Sequence, residues 1–221
     1  GARAELAGGP YFVGAAWLVV ASTVLDGLDG TLARKLGSTG ALGQQLDSLA
    51  DLTVFGIAPA ALLYARFLGP LSPWAAPVPV AFVLASAFRL ARFNARDVPR
   101  GHKHFEGLPT TTSGGALGAY VLSVEFVQRH VIAESDNHLW FALGAGLLAL
   151  VHALLMVSTI PFAPFSRFFF RNFGRGGRIT VCVVVLTALA CCPAFTLLGL
   201  ALLYSVESVG RWGFGRVSGT G

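Results

Sequence analysis

Residues 26–51 read DGLDGTLARKLGSTGALGQQLDSLAD and hold four of the chain's six aspartates: Asp26, Asp29, Asp47 and Asp51. The first two stand three apart and the last two four apart, so on helices each pair shares one face. If the two helices are antiparallel neighbours joined by a short loop, all four carboxylates converge at one depth. Four like charges repel strongly in a low dielectric and call for cations, yet Arg34 is the only arginine between the pairs. Oxygen-only ligands suit Mg²⁺, Mn²⁺ or Ca²⁺, and carboxylate-bound Mg²⁺ completes its shell with water and substrate phosphate. The spacing therefore predicts a divalent-metal site for a phosphorylated substrate. Arg34 is placed to hold a phosphate. Gly27, Gly30, Gly37, Gly40 and Gly43 would thin the walls of such a site and admit close backbone approach.

The elements that must carry this site are membrane helices. The chain has 221 residues, 54% of them hydrophobic and 12% charged, with a mean hydropathy of +0.67. That charged fraction is about half of what soluble domains carry. Six apolar segments are read, at about residues 11–25, 41–64, 74–93, 113–127, 139–160 and 179–206. The last is long for one span and contains Pro193, so it is either a kinked helix or a hairpin. The expected fold is all-α: a polytopic bundle of six to seven transmembrane segments forming a single domain over 1–221. An acid in or beside a membrane is expensive and by default functional.

The formal charge is +5, from 14 arginines and 2 lysines against 11 acids. These basic residues lie between apolar runs, where they set topology and meet anionic lipid rather than nucleic acid. Arg34 and Lys35 follow the first segment. Arg89, Arg92, Arg96, Arg100 and Lys103 cluster at the end of the third. Arg167, Arg171, Arg175 and Arg178 follow the fifth. The positive-inside rule makes these regions cytoplasmic, and the aspartates open there. Cys182, Cys191 and Cys192 lie in an apolar run without metal-ligand spacing, and read as buried helix thiols.

The pattern Asp26-x₂-Asp29-Gly30-x₂-Ala33-Arg34-x₈-Gly43-x₃-Asp47-x₃-Asp51 resembles, at every fixed position, the signature of the CDP-alcohol phosphotransferase family. Three further stretches are similar to those of its bacterial and archaeal serine-using branch: RLARFN (89–94), FEGLPTTTSG (105–114) and LLMVSTIPFAPFSR (154–167). That branch normally has one more hydrophobic helix before the segment ending in Asp26, so a first helix is expected to be missing here. Several relatives also carry a hydroxyl at the position of Gly40; Ser38 and Thr39 are the nearest substitutes.

The resemblance implies a CDP-diacylglycerol–serine O-phosphatidyltransferase. Asp26, Asp29 and Asp47 would be metal ligands and Asp51 a ligand that also serves as base, with two Mg²⁺ or Mn²⁺ ions and Ca²⁺ as another occupant. Gly30, Ala33, Arg34, Thr39 and Gly43 would line the CDP-lipid site. L-Serine needs a partner for its carboxylate, and a guanidinium supplies one bidentately. Arg89, Arg92, Asn94 and Arg96 at the third segment's cytoplasmic end are candidates, as is Arg167. The resemblance further implies a prokaryotic cytoplasmic membrane and a homodimer.

Other readings predict other patterns. Another acceptor within the family (glycerol phosphate, inositol phosphate, or serine with an archaeal ether lipid) would also suit an arginine-rich pocket. A cation transporter would spread its acids across the bilayer's depth. A membrane prenyltransferase would place two acidic motifs on distant helices.

Overall fold

The computed structural model describes residues 10–36, 41–95, 105–131, 138–162 and 175–217. Among the described residues, seven longer helical elements form an all-α membrane bundle. They are α1 (Pro10–Leu36), α2 (residues 41–71), α3 (Pro77–Asn94), α4 (Thr110–His130), α5 (His138–Val157), α6 (Arg175–Cys191) and α7 (Pro193–Val217). Two short extended stretches, β1 (Phe105–Glu106) and β2 (Pro161–Phe162), pair antiparallel with Phe105 opposite Phe162 and Glu106 opposite Pro161.

Four helices among the described residues are long and apolar enough to cross a membrane: Leu42–Leu71, Pro73–Asn94, His138–Val157 and Pro193–Gly213. Shorter apolar stretches are Tyr11–Thr23 and Thr180–Cys191. The first helix is longer than its apolar run suggests. It continues as helix through Asp26 and Asp29 to Leu36, so Arg34 and Lys35 are helical and not part of a loop.

α4 is absent from the apolar set, although it is the hub of the bundle. It packs on α1, α2 and α7. Its buried side includes Thr110, Ser113, Gly114, Gly118, Ser123 and Glu125. Lipid offers no hydrophobic drive between helices, so small and weakly polar residues line the interfaces where backbones approach. The converse appears on α5. Ala142, Ala145, Ala149, Ala153 and Met156 form its buried stripe, while Trp140, Leu143, Leu147 and Leu154 are exposed on the opposite side. α5 packs chiefly on α3, and the exposed leucines are what a hydrocarbon environment favours.

α2 is not a regular helix. Ala41–Asp51 is α-helical, Leu52–Ile57 is π-helical, Ala58–Leu63 is α-helical and Tyr64–Leu68 is π-helical again. Each widened turn shifts the faces that follow it, and such turns gather at functional sites. The first begins directly after Asp51. Gly114 of α4 packs against it: a β-carbon there would lie 2.6 Å from the Phe55 carbonyl oxygen and 2.7 Å from Phe55 Cα. The second carries Arg66, which is buried with Glu125 of α4. Arg66 Nε donates to Glu125 Oε1 at 2.5 Å and Nη2 to Gln128 Oε1 at 2.6 Å. α2 and α4 are thus joined near both ends, by backbone proximity at one and an ion pair at the other.

Pro193 marks the division of the last segment into α6 and α7. Cys192 N–H donates to Ala188 O at 2.8 Å, closing α6, and Cys192 O accepts from Thr196 N–H at 3.1 Å, opening α7.

Two stability outcomes follow. Gly114→Ala must push α4 off a backbone that cannot yield, and is expected to destabilise the protein in detergent by about 1–3 kcal/mol. An unchanged melting midpoint would show that the approach is not tight. Arg66→Met strands a buried carboxylate and should cost about 3–5 kcal/mol, whereas Arg66→Met with Glu125→Leu should recover most of that loss. A double variant as unstable as the single would contradict the ion-pair account.

Candidate functional site

The acidic site forms where α1 and the start of α2 come together. Asp26 is half-buried on α1, Asp47 is exposed on α2, and Asp51, one turn later, is half-buried. Asp51 is within electrostatic reach of both Asp26 and Asp47, and of the Arg89 guanidinium of α3. Asp29, Gly30, Ala33 and Arg34 share the α1 helix with Asp26. Their side chains lie outside the described residues, as do Thr39, Arg96 and Arg167 altogether. Among the described residues, no three His, Cys, Asp or Glu side chains are gathered closely enough to hold a metal ion. Asp26, Asp47 and Asp51, which influence one another electrostatically, offer only carboxylate oxygens, the chemistry that suits a hard divalent cation.

Gly43 precedes Asp47 by four residues, and no atom lies within 4 Å of where its β-carbon would be. Helix packing therefore does not require a glycine here, in contrast to Gly114. The open space faces whatever approaches the start of α2.

α3 supplies the next wall. Arg89 Nη1 donates to Thr110 Oγ1 at 2.9 Å, which ties α3 to the first residue of α4. Asn94 Nδ2 donates to Ser48 Oγ at 2.9 Å, and Ser48 sits between Asp47 and Asp51. On α3, two polar atoms are buried with no hydrogen-bond partner among the described residues: Arg89 Nε and Asn94 Oδ1. One is a donor on a cation and the other a neutral acceptor. Leaving each unsatisfied costs about 1–3 kcal/mol.

Arg92, one helical turn from Arg89, is engaged differently. Its Nη1 donates to Val157 O at 3.0 Å, and its Nη2 meets Met156 O at 3.2 Å, Ser158 O at 3.0 Å and Glu106 O at 3.2 Å. A guanidinium here gathers the carbonyls left over at the end of α5, where helix termini lack partners of their own. Gly107 makes the arrangement fit. Its φ is +79°, and a β-carbon on it would come within 2.9 Å of Arg92 Nη2 and 3.1 Å of Ser158 O. Gly107 N–H donates to Ile160 O at 3.0 Å and Leu108 N–H to Leu155 O at 3.1 Å. The three stretches 89–94, 105–114 and 154–162 are thereby one structural unit behind the aspartates.

Sequence reasoning did not single out Ser48, Thr110 or Tyr204. The run of three threonines after Pro109 was a usable sign, because hydroxyls at a helix start bond neighbouring groups. Tyr204 gave no such sign, lying in an apolar run far along the chain.

Comparison with known proteins agrees with the motif. A model of the CDP-alcohol phosphatidyltransferase family matches residues 6–163. A CDP-diacylglycerol–serine O-phosphatidyltransferase of Helicobacter pylori is 35% identical over 156 residues, covering 71% of this chain. The chain spans 63% of that relative's length. A protein of the same name from Methanocaldococcus jannaschii is 31% identical over 193 residues, 87% of this chain and 81% of the relative. One from Saccharomyces cerevisiae is 40% identical over 119 residues, 50% of this chain and 42% of the relative. Since the matched region takes in both aspartate helices and the α3–α5 unit that backs them, the chain belongs to the CDP-alcohol phosphatidyltransferase family.

Proposed function

We propose that the chain transfers a phosphatidyl group from CDP-diacylglycerol to L-serine, releasing CMP and phosphatidylserine. The observation that carries the choice of acceptor is the pair of unsatisfied atoms on α3, Arg89 Nε and Asn94 Oδ1, on residues that face Asp51 and its neighbour Ser48. Serine brings a carboxylate and an ammonium. The first suits a guanidinium donor and the second an amide oxygen. The names of the relatives support the same acceptor.

Asp26, Asp29, Asp47 and Asp51 would hold two divalent cations, Mg²⁺ or Mn²⁺, with Ca²⁺ as another occupant. Bound there, the ions would neutralise the pyrophosphate and stabilise CMP as a leaving group. Asp51 accepts the proton of the serine hydroxyl as its oxygen bonds to the lipid-side phosphorus. The bond from that phosphorus to the CMP oxygen breaks, and the electron pair leaves with CMP. A carboxylate is a weak base for an alcohol, so the proton moves late, as the new bond develops. Gly30, Ala33, Arg34, Thr39 and Gly43 line the nucleotide and its phosphates; the open space over Gly43 supports that reading. Arg89 and Asn94 orient serine, and Arg96 and Arg167 meet lipid phosphate. Arg92, with its donors engaged by carbonyls, braces the wall instead of binding substrate.

By the positive-inside rule, the arginines at the end of α3 and after α5 support a site on the cytoplasmic side, and a prokaryotic membrane is the expected setting. A homodimer is the expected assembly.

CMP release tests the proposal. Purified protein in detergent receives CDP-diacylglycerol and Mn²⁺ or Mg²⁺, with serine, glycerol 3-phosphate or inositol phosphate supplied separately. Release should depend on serine and fall at least about 10²-fold in Asp51→Asn, with the melting midpoint retained. Chelation of the metal should abolish it. Release that depends on either phosphorylated alcohol would overturn the serine assignment.

A further inference from the structure

We propose that Tyr204 positions the Arg89 guanidinium, so that the C-terminal helix α7 sets the affinity for the acceptor. This rests on the reading of Arg89 as the group that holds the acceptor's carboxylate.

Tyr204 is 1% exposed and is the largest fully buried side chain among the described residues. It lies on the one side of α7 that is both buried and polar: Ala201, Tyr204, Ser205 and Ser208 are all buried, at the spacing of a single helix face. Packing alone does not ask for this chemistry. Ser205 and Ser208 turn back to the carbonyls of Ala201 and Tyr204, at 2.9 Å each. The phenol is therefore the group on this face that can act beyond its own helix.

Two contacts place it. Its ring lies 5.6 Å from that of Phe162, on the β2 stretch backed by the Arg92 brace. Its hydroxyl end is within electrostatic reach of Arg89, which also faces Asp51 and Arg92. Arg89 is otherwise held through a single nitrogen, by Thr110. One hydrogen bond leaves a long side chain free to turn about it, and an acceptor ligand needs the guanidinium plane fixed in advance. The nearby phenol supplies that second point of restraint. α7 also lies beyond residues 6–163, the span matched by the family model. A contact from outside the shared core is suited to distinguishing one family member's acceptor from another's.

The test measures CMP release at varied serine and varied CDP-diacylglycerol for wild type, Tyr204→Phe, Tyr204→His, Arg89→Gln and the double variant Tyr204→Phe/Arg89→Gln. Melting midpoints are recorded alongside. Tyr204→Phe removes one oxygen and keeps the ring against Phe162. It should raise the KM for serine about tenfold while leaving kcat and the KM for CDP-diacylglycerol within about twofold. Tyr204→His, which keeps a polar ring, should recover part of the loss. Adding Tyr204→Phe to Arg89→Gln should change nothing further. If Arg89→Gln raises the serine KM and Tyr204→Phe does not, the inference about Tyr204 is overturned and the role of Arg89 stands. An unchanged serine KM in Arg89→Gln would overturn the reading of Arg89 itself. Equal losses for both substrates in Tyr204→Phe, with a lowered melting midpoint, would make Tyr204 a packing residue only.

Discussion

Repulsion among carboxylates is the force this structure has to contain. Asp26 comes from one helix and Asp47 and Asp51 from another, and Asp51 is under the influence of both of the others. Nothing about the three attracts them to one another. They stay together because the helices that carry them are held from behind. α4 lies against the widened turn that begins one residue after Asp51, at a distance that admits only glycine. At its other end the same pair of helices is closed by the buried Arg66–Glu125 pair. A buried ion pair is weak evidence of net stability, but it penalises any sliding that would separate its members. Register along α2 and α4 is what the acidic site requires.

The backing unit shows how a charge can serve structure instead of substrate. Arg89 and Arg92 are one helical turn apart and alike in composition, and from sequence they were equal candidates. Their surroundings separate them. Arg92 meets a helix end with unspent carbonyls and is absorbed by it, in space that Gly107 leaves open. Arg89 donates to the Thr110 hydroxyl, lies within reach of Asp51 and the Tyr204 phenol, and keeps Nε in reserve.

The helical membrane fold was legible in composition and in the recurrence of apolar runs, because both reflect the solvent directly. The aspartate pairs were legible because their spacing is local to a helix. What the sequence concealed was non-local. Helix α1 runs through its aspartates to Leu36 even though Gly27 and Gly30, poor helix formers, lie in that stretch. The widened turns of α2 have no compositional signature. Thr110 and Tyr204 matter through what stands opposite them, 21 residues away in one case and over a hundred in the other. Pro193, by contrast, did mark a boundary: the helix divides at Cys192, directly before it.

The composition of α4 has a consequence for how the protein is made. The helix at the centre of the bundle, with Thr110, Ser113, Ser123 and Glu125 buried along it, is not among those apolar enough to cross a membrane. A bilayer admits polar segments reluctantly, and the decision is taken as the chain emerges. α1, α2 and α3 precede α4, but α7, one of its main neighbours, follows it by more than sixty residues. At about 5–20 residues per second, α4 waits several seconds for that neighbour. During that time it has α1, α2, α3 and α5 as neighbours to shelter its polar side. The Arg66–Glu125 pair joins two helices that both precede α7 in the chain, so it is available to hold α4 before that last neighbour is made.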